Sequence, residues 1–230
     1  DEPFAKPDSI VEMDIDTYGG GTPVSGGTTR KEVFIKGTEP TTNAAIYKNV
    51  KISRHDSGKL ASAVEILKGE YDTKQYVVFT EADPVSGDGK NRWQEGIDAW
   101  ISGQSDSKFH PPTETYSGDS FGVAIKEPSD QNQINNNSVK ITAKATSKNS
   151  ITKLEIYVDG TKQKEINSDT FSDTITISDG PYHSIKARAT DSSGATAEAE
   201  IHISVNVSYA TPTPADRKST RLNSSHTDIS

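Results

Sequence analysis

Apolar and polar residues alternate along most of the second half of the chain. Val139, Ile141, Ala143 and Ala145 take every other position of 138–146, and Leu154, Ile156 and Val158 repeat the pattern. Phe171, Ile175 and Ile177 continue it, then Ile185, Ala187 and Ala189, and finally Ala195, Ala197, Ala199, Ile201, Ile203 and Val205. A period of two marks a strand buried on one face. Asp159-Gly160 predicts a tight turn into a further strand over Thr161–Ile166, and Asp179-Gly180-Pro181 and Asp191-Ser192-Ser193-Gly194 supply the next breaks. With Phe121–Lys126 in front, about seven short strands run on without a helical stretch, the spacing of a β-sandwich over 119–207.

The first part is patterned more loosely and contains an imperfect repeat. One copy has Ile10-Val11-Glu12-Met13-Asp14-Ile15, a Gly-rich turn at Gly19–Gly21, then Glu32-Val33-Phe34-Ile35-Lys36-Gly37-Thr38-Glu39-Pro40. The other has Val50-Lys51-Ile52, a turn at Asp56–Ala61, then Tyr76-Val77-Val78-Phe79-Thr80-Glu81-Ala82-Asp83-Pro84. Each copy reads as two strands flanking a loop, too small to bury a core alone. In 91–102, Trp93, Ile97, Trp100 and Ile101 form one stripe of a short helix, closed by Gly103. Gly96 inside that helix costs about 1 kcal/mol against Ala, so the helix is expected to depend on docking, with both tryptophans facing a core rather than forming a sugar-stacking platform. The fold expected is therefore mainly β: a small β-repeat segment with one short helix over 9–110, an extended linker over 111–118, and a sandwich. Residues 208–230 are expected to be a tail. Its Thr-Pro alternation at 211–214 cannot sustain a ladder.

Composition narrows what such a chain does. Only 31% of the 230 residues are hydrophobic, below the roughly 45–50% of an average soluble protein, which suits small β-modules better than one thick enzyme core. No run approaches the ~18–20 apolar residues of a membrane span. There is no Cys, which excludes disulfides, a thiolate zinc site and a Cys nucleophile. The net charge of −8 is spread without long blocks of one sign, so no basic face is present for nucleic acid. Asp1 is not preceded by Met or a signal-like segment, and the chain reads as a piece of a longer protein.

Three resemblances follow from these residues. Leu154–Gly160, the His183-x-Ile185-x-Ala187-x-Ala189-x-Asp191-x-x-Gly194 run and Ile201-x-Ile203-x-Val205 resemble bacterial Ig-like domains of surface and cell-wall proteins. Phe4-Ala-Lys-Pro-Asp8, Ile10-Val11 and Phe34-Ile35-Lys36-Gly37-Thr38-Glu39-Pro40 resemble the segment just past the transpeptidase domain of class A penicillin-binding proteins. Ser57-Gly58-Lys59-Leu60-Ala61, Asp83–Ser86 and Asn91–Ile97 extend that likeness over about 110 residues. Cysteines common around these turns in the family are missing here. Arg217–His226 resembles a translated sequencing adapter, so 216–230 is left out of the fold.

The second resemblance implies that residues 1–8 end a transpeptidase domain lying before them, which would be a partner of this segment. It also implies an extracytoplasmic, cell-wall location and a non-catalytic accessory role: bracing that domain and spacing or weakly binding wall polysaccharide. The alternative is a polysaccharide-binding or adhesive Ig-like module of another surface protein or glycosidase. Acyl transfer in the family needs Ser-x-x-Lys, Ser-x-Asn and Lys-Thr/Ser-Gly in that order. Here Ser105-Asp106-Ser107-Lys108 and Ser147-Lys148-Asn149 match the first two, no Lys-Thr/Ser-Gly follows, and no catalytic residue is expected.

Glu81, Asp83 and Asp88 lie close enough to suggest calcium, but their spacing is not that of an EF-hand loop, and they read as an acidic turn. His55, His110, His183 and His202 are scattered without zinc-helix pairing. No metal and no cofactor is expected. Tyr157 and Tyr182 fall out of phase with the inward-facing residues of their strands, which makes them the candidate ligand contacts.

Overall fold

The computed structural model describes residues 6–211, and the expectations for the first five residues and for 212–230 lie outside them. The chain divides into two units, at Asp119/Ser120.

The first unit is built from two antiparallel hairpins. Strands β1 (Ile10–Asp16) and β2 (Thr29–Ile35) pair from Ile10↔Ile35 to Asp16↔Thr29. Strands β3 (Tyr47–Ser53) and β4 (Tyr71–Val77) pair from Tyr47↔Val77 to Ser53↔Tyr71. The hairpins form separate two-stranded sheets, joined by a buried polar knot. The Tyr47 hydroxyl donates to Asp16 Oδ2 at 2.5 Å, while Asp16 Oδ1 accepts from the Tyr18 and Gly19 amides. Burial first, and the Asp16 carboxylate second, push the Tyr47 phenol well above its ordinary pKa. The Gly-rich turn is explained here: a Cβ on Gly21 would lie 2.5 Å from the Ala44 nitrogen and 2.7 Å from the Thr42 carbonyl, so only glycine lets the two backbones meet.

Helix α1 (Ala63–Lys68) joins β3 to β4 and was not expected; one short helix was. Its signal is present as Ser62-x-x-Glu65, a capping box in which Ser62 Oγ accepts from the Glu65 amide and Glu65 Oε2 accepts from the Ser62 amide. Gly69 closes the helix at positive φ. Helix α2 (Arg92–Ser102) lies where the stripe places it. The segment 111–118 is not a free linker throughout. The Leu60 amide donates to the Glu114 carbonyl and the Tyr116 amide to the Leu60 carbonyl, which pairs 114–116 onto the turn after β3.

The second unit is a sandwich of two sheets. Strands β5 (Phe121–Glu127), β7 (Ser138–Ser147) and β10 (Thr170–Thr176) form one sheet in the order β10-β7-β5. The other has the order β6-β12-β11-β8-β9, with β6 (Asn132–Ile134), β8 (Ile151–Val158), β9 (Thr161–Ile166), β11 (Gly180–Asp191) and β12 (Thr196–Val205). The period of two becomes the core: Ile141, Ala143, Leu154, Ile156, Ile185, Ala187, Ala189, Ile203 and Val205 are wholly buried. Ala143, Ala187 and Ala189 sit in this core among larger Ile and Leu side chains, the mixture of small and large residues that interdigitating sheets pack well. Asp191 ties two loops of one end together. It accepts from Ser147 Oγ and Asn149 Nδ2, and from the Ser193 hydroxyl and amide. The Ser193 hydroxyl leads the bonds that hold its carboxyl far below the usual range, against the opposing effect of burial.

Candidate functional site

Tyr157 and Tyr182 both lie on the outer face of the five-stranded sheet, but the structure does not gather them into one site. Tyr157 stands opposite Lys186 of β11 and Lys162 of β9. With Ser184, Lys186, Arg188, Glu198 and Glu200 it lines a hollow of about 250 Å³. The charges there are already paired: Lys186 with Glu200 at 3.5 Å and Glu198 at 3.8 Å, and Arg188 with Glu198 at 3.5 Å. Tyr182 is stacked on His202, with ring centroids 4.8 Å apart and planes 21° off parallel. One face of its ring is therefore covered.

Residues with catalytic letters serve structure. Ser105 is exposed, and Lys108 Nζ pairs with Asp106 at 3.1 Å while lying over the Tyr18 and Phe109 rings. Ser147 and Asn149 are both spent on Asp191. A Ser-His-Glu cluster does exist, and sequence reading missed it because its members are split between a strand end and α1. Ser53 Oγ donates to Glu65 Oε1 at 2.6 Å, and His55 Nδ1 lies 3.0 Å from the same oxygen. The serine is thus bonded to the carboxylate and not to the imidazole, the wrong order for a nucleophile activated by a base. Ser53 and Glu65 are also fully buried, so the cluster is a clamp. Burial alone would raise the Glu65 pKa, but the Ser53, Ser62 and His55 bonds outweigh it and bring it from 4.5 to about 2. The Glu65 bond raises the His55 pKa above 6.5, and its ring stacks on Tyr116 at 5.3 Å.

The acidic turn is also internally satisfied. Asp83 accepts from the Val85, Ser86 and Arg92 amides, and Asp88 holds the Arg92 guanidinium through two bonds of 2.7 and 3.1 Å. Among the described residues no three His, Cys, Asp or Glu side chains are grouped to hold a metal.

The tryptophans depart from expectation. No residue of α2 is buried, and Trp93 and Trp100 are 53% and 42% exposed. The reason is the thinness of the unit: two-stranded hairpins offer no broad sheet for a helix to cover. Polar bonds hold α2 in place instead. Asn91 Nδ2 donates to the Glu81 carbonyl, and Gln94 Oε1 accepts from the Glu81 amide. Trp100 leans edge-on against Phe79 and Phe109 and tilts on Tyr18, with centroids 5.2–5.9 Å away. Between helix and chain lies an apolar groove of about 380 Å³, lined by Phe79, Arg92, Trp93, Gly96, Ile97 and Trp100.

Comparison with known proteins finds one family match within each unit. Residues 6–49 match the C-terminal domain of penicillin-binding protein 1A, and residues 122–187 match the bacterial Ig domain. The first match spans the β1–β2 hairpin and the entry to β3. The second repeat copy and the Trp helix, which also carried the likeness in sequence, lie beyond it. Neither match is to a catalytic domain. No curated protein matches the chain. Among solved structures, fibronectin(III)-like modules of Clostridium thermocellum CbhA share 23% identity over 37% of this chain and 97% of their own, with a TM-score of 0.34. A lytic polysaccharide monooxygenase of Jonesia denitrificans shares 17% over 36% and 76%, with a TM-score of 0.28. An engineered protein shares 14% over 54% and 29%, with a TM-score of 0.36. No helix among the described residues is long and apolar enough to cross a membrane.

Proposed function

We propose that this chain is a non-catalytic accessory region of a peptidoglycan-synthesising penicillin-binding protein, working outside the cytoplasm at the cell wall. Its first unit braces the transpeptidase domain that the resemblance puts before it, and its Ig-like sandwich stands off in the wall as a spacer or weak binding module. One observation carries the reading. The hairpin that falls within the family match turns Val33 and Ile35 of β2 outward, 56% and 62% exposed. Apolar side chains on the outer face of a two-stranded sheet fit a surface that another domain covers. The rival reading, a polysaccharide-binding module, rests on Tyr157 and Tyr182, whose surroundings are self-paired.

The test uses a full-length protein that carries this segment behind its transpeptidase domain. Removing residues 6–119 should lower the melting temperature of the transpeptidase domain, and Val33→Asp with Ile35→Asp should do the same. A transpeptidase domain whose stability is indifferent to both changes would sink the bracing role. The present chain should stay unlabelled by a fluorescent β-lactam; labelling abolished by Ser105→Ala would overturn the non-catalytic reading.

A further inference from the structure

We propose that the α2 groove is a binding site for an extended, neutral oligosaccharide, with Trp93 and Trp100 as its two stacking platforms. The inference stands apart from the bracing role, which rests on β2.

The first support is Gly96. Glycine weakens a helix interior, and here no neighbour demands it: a Cβ at Gly96 would meet nothing within 4 Å. A helix-weakening residue with no packing reason, set between two exposed indoles, is explained by a ligand that approaches the backbone. The second support is geometry. Trp93 and Trp100 are seven residues apart on one helix face, about 10.5 Å along the axis at 1.5 Å per residue. The two indoles with bare Gly96 between them form a track for successive sugar rings. Trp100 is held by Tyr18, Phe79 and Phe109, so its free surface is preorganised.

Size and charge select the occupant. A groove of about 380 Å³ falls in the range of small-ligand sites. Arg92 at its rim is neutralised by two bonds to Asp88 and also donates to Ser86, and the chain carries −8 overall, which disfavours a polyanion. A pyranose suits what remains: its C–H face lies on an indole while its hydroxyls stay toward solvent.

The chain contains only two tryptophans, both in the groove, so tryptophan fluorescence, excited selectively over the eight tyrosines, reports on this site alone. Tetramers of N-acetylglucosamine or of β-linked glucose, added to the intact chain, should give a saturable shift, with calorimetry yielding the same Kd. Trp93→Ala should weaken binding at least tenfold, and Trp93→Phe, which keeps a ring, should weaken it less. Gly96→Ala separates the proposal from a structural role: it should raise Tm while weakening binding. The proposal fails if neither tetramer gives a saturable shift, if Trp93→Ala binds as well as the parent, or if Gly96→Ala binds undiminished.

Discussion

The two units solve the same problem, burying apolar surface with short strands, to different degrees. In the sandwich, eight strands in two sheets enclose one continuous core that includes Leu154, Ile156, Ile185 and Ile203, all at 0% exposure. In the first unit, two hairpins and two helices bury Ile15, Ile52, Val64, Leu67, Val77 and Phe109, but Val33, Ile35, Ile66, Val85, Trp93 and Trp100 stay open. Of the large hydrophobics left exposed among the described residues, only Val207 belongs to the sandwich. The lesson concerns closure: a sheet facing another sheet shelters its inner side chains, whereas a lone hairpin shelters few and leans on polar clamps such as Asp16–Tyr47 and Ser53–Glu65–His55. The first unit is therefore expected to dock through the open β2 face that carries Val33 and Ile35, and the second to be a self-sufficient domain.

The largest test of that contrast is a cavity in the sandwich. Ile156→Ala should cost about 2–5 kcal/mol and lower only the transition of the second unit. Calorimetry on the whole chain reads this, and a shift of both transitions together would mean that the units share a core.

Next is the clamp. Glu65→Ala strands the Ser53 hydroxyl and the Ser62 amide in a buried place and should cost about 3 kcal/mol, enough to abolish the transition of the first unit. The same clamp sets a pH window. Glu65 is held below its unfolded value, so its contribution is complete above 4.5 and drains away as the pH falls toward about 2. His55 is raised, so its contribution is complete below 6.5 and is lost as the pH climbs through its higher folded value. Unfolding midpoints of the first unit should therefore fall at both ends of the scale. In Glu65→Gln, which keeps the size of the side chain and an accepting oxygen but removes its charge, both pH dependences should flatten, and retention of either would place its origin elsewhere.

The smallest effect is expected at the open face. Val33→Ser and Ile35→Ser should change the stability of this chain by no more than about 0.5 kcal/mol, because neither side chain is in its core. A larger loss would show that β2 is already covered within the chain.

Legibility followed the same divide. The sandwich could be read because its alternation persists strand after strand and each break carries turn chemistry, as at Asp159-Gly160 and Asp191–Gly194. In the first unit, α1 was hidden by its length of six residues, although Ser62-x-x-Glu65 and Gly69 announce its ends. The stripe of α2 gave the helix but not its exposure, since periodicity says which residues share a face and not whether anything covers it. The pairing of 114–116 with Leu60 left no local trace, being made by backbone groups alone. For the candidate contacts, out-of-phase position identified Tyr157 and Tyr182 as outward-facing, but no pattern along the chain could reveal that His202 stacks on one of them.

The most direct measurement is to express residues 1–119 and 120–208 separately and record amide dispersion and thermal unfolding for each. The account predicts a well-dispersed, cooperatively melting 120–208. It predicts that 1–119 melts well below 120–208 and over a broader range, because few core residues must offset an ordering cost of about 1–2 kcal/mol per residue. A stable, cooperatively folded 1–119 would contradict it and remove the physical basis for a bracing role.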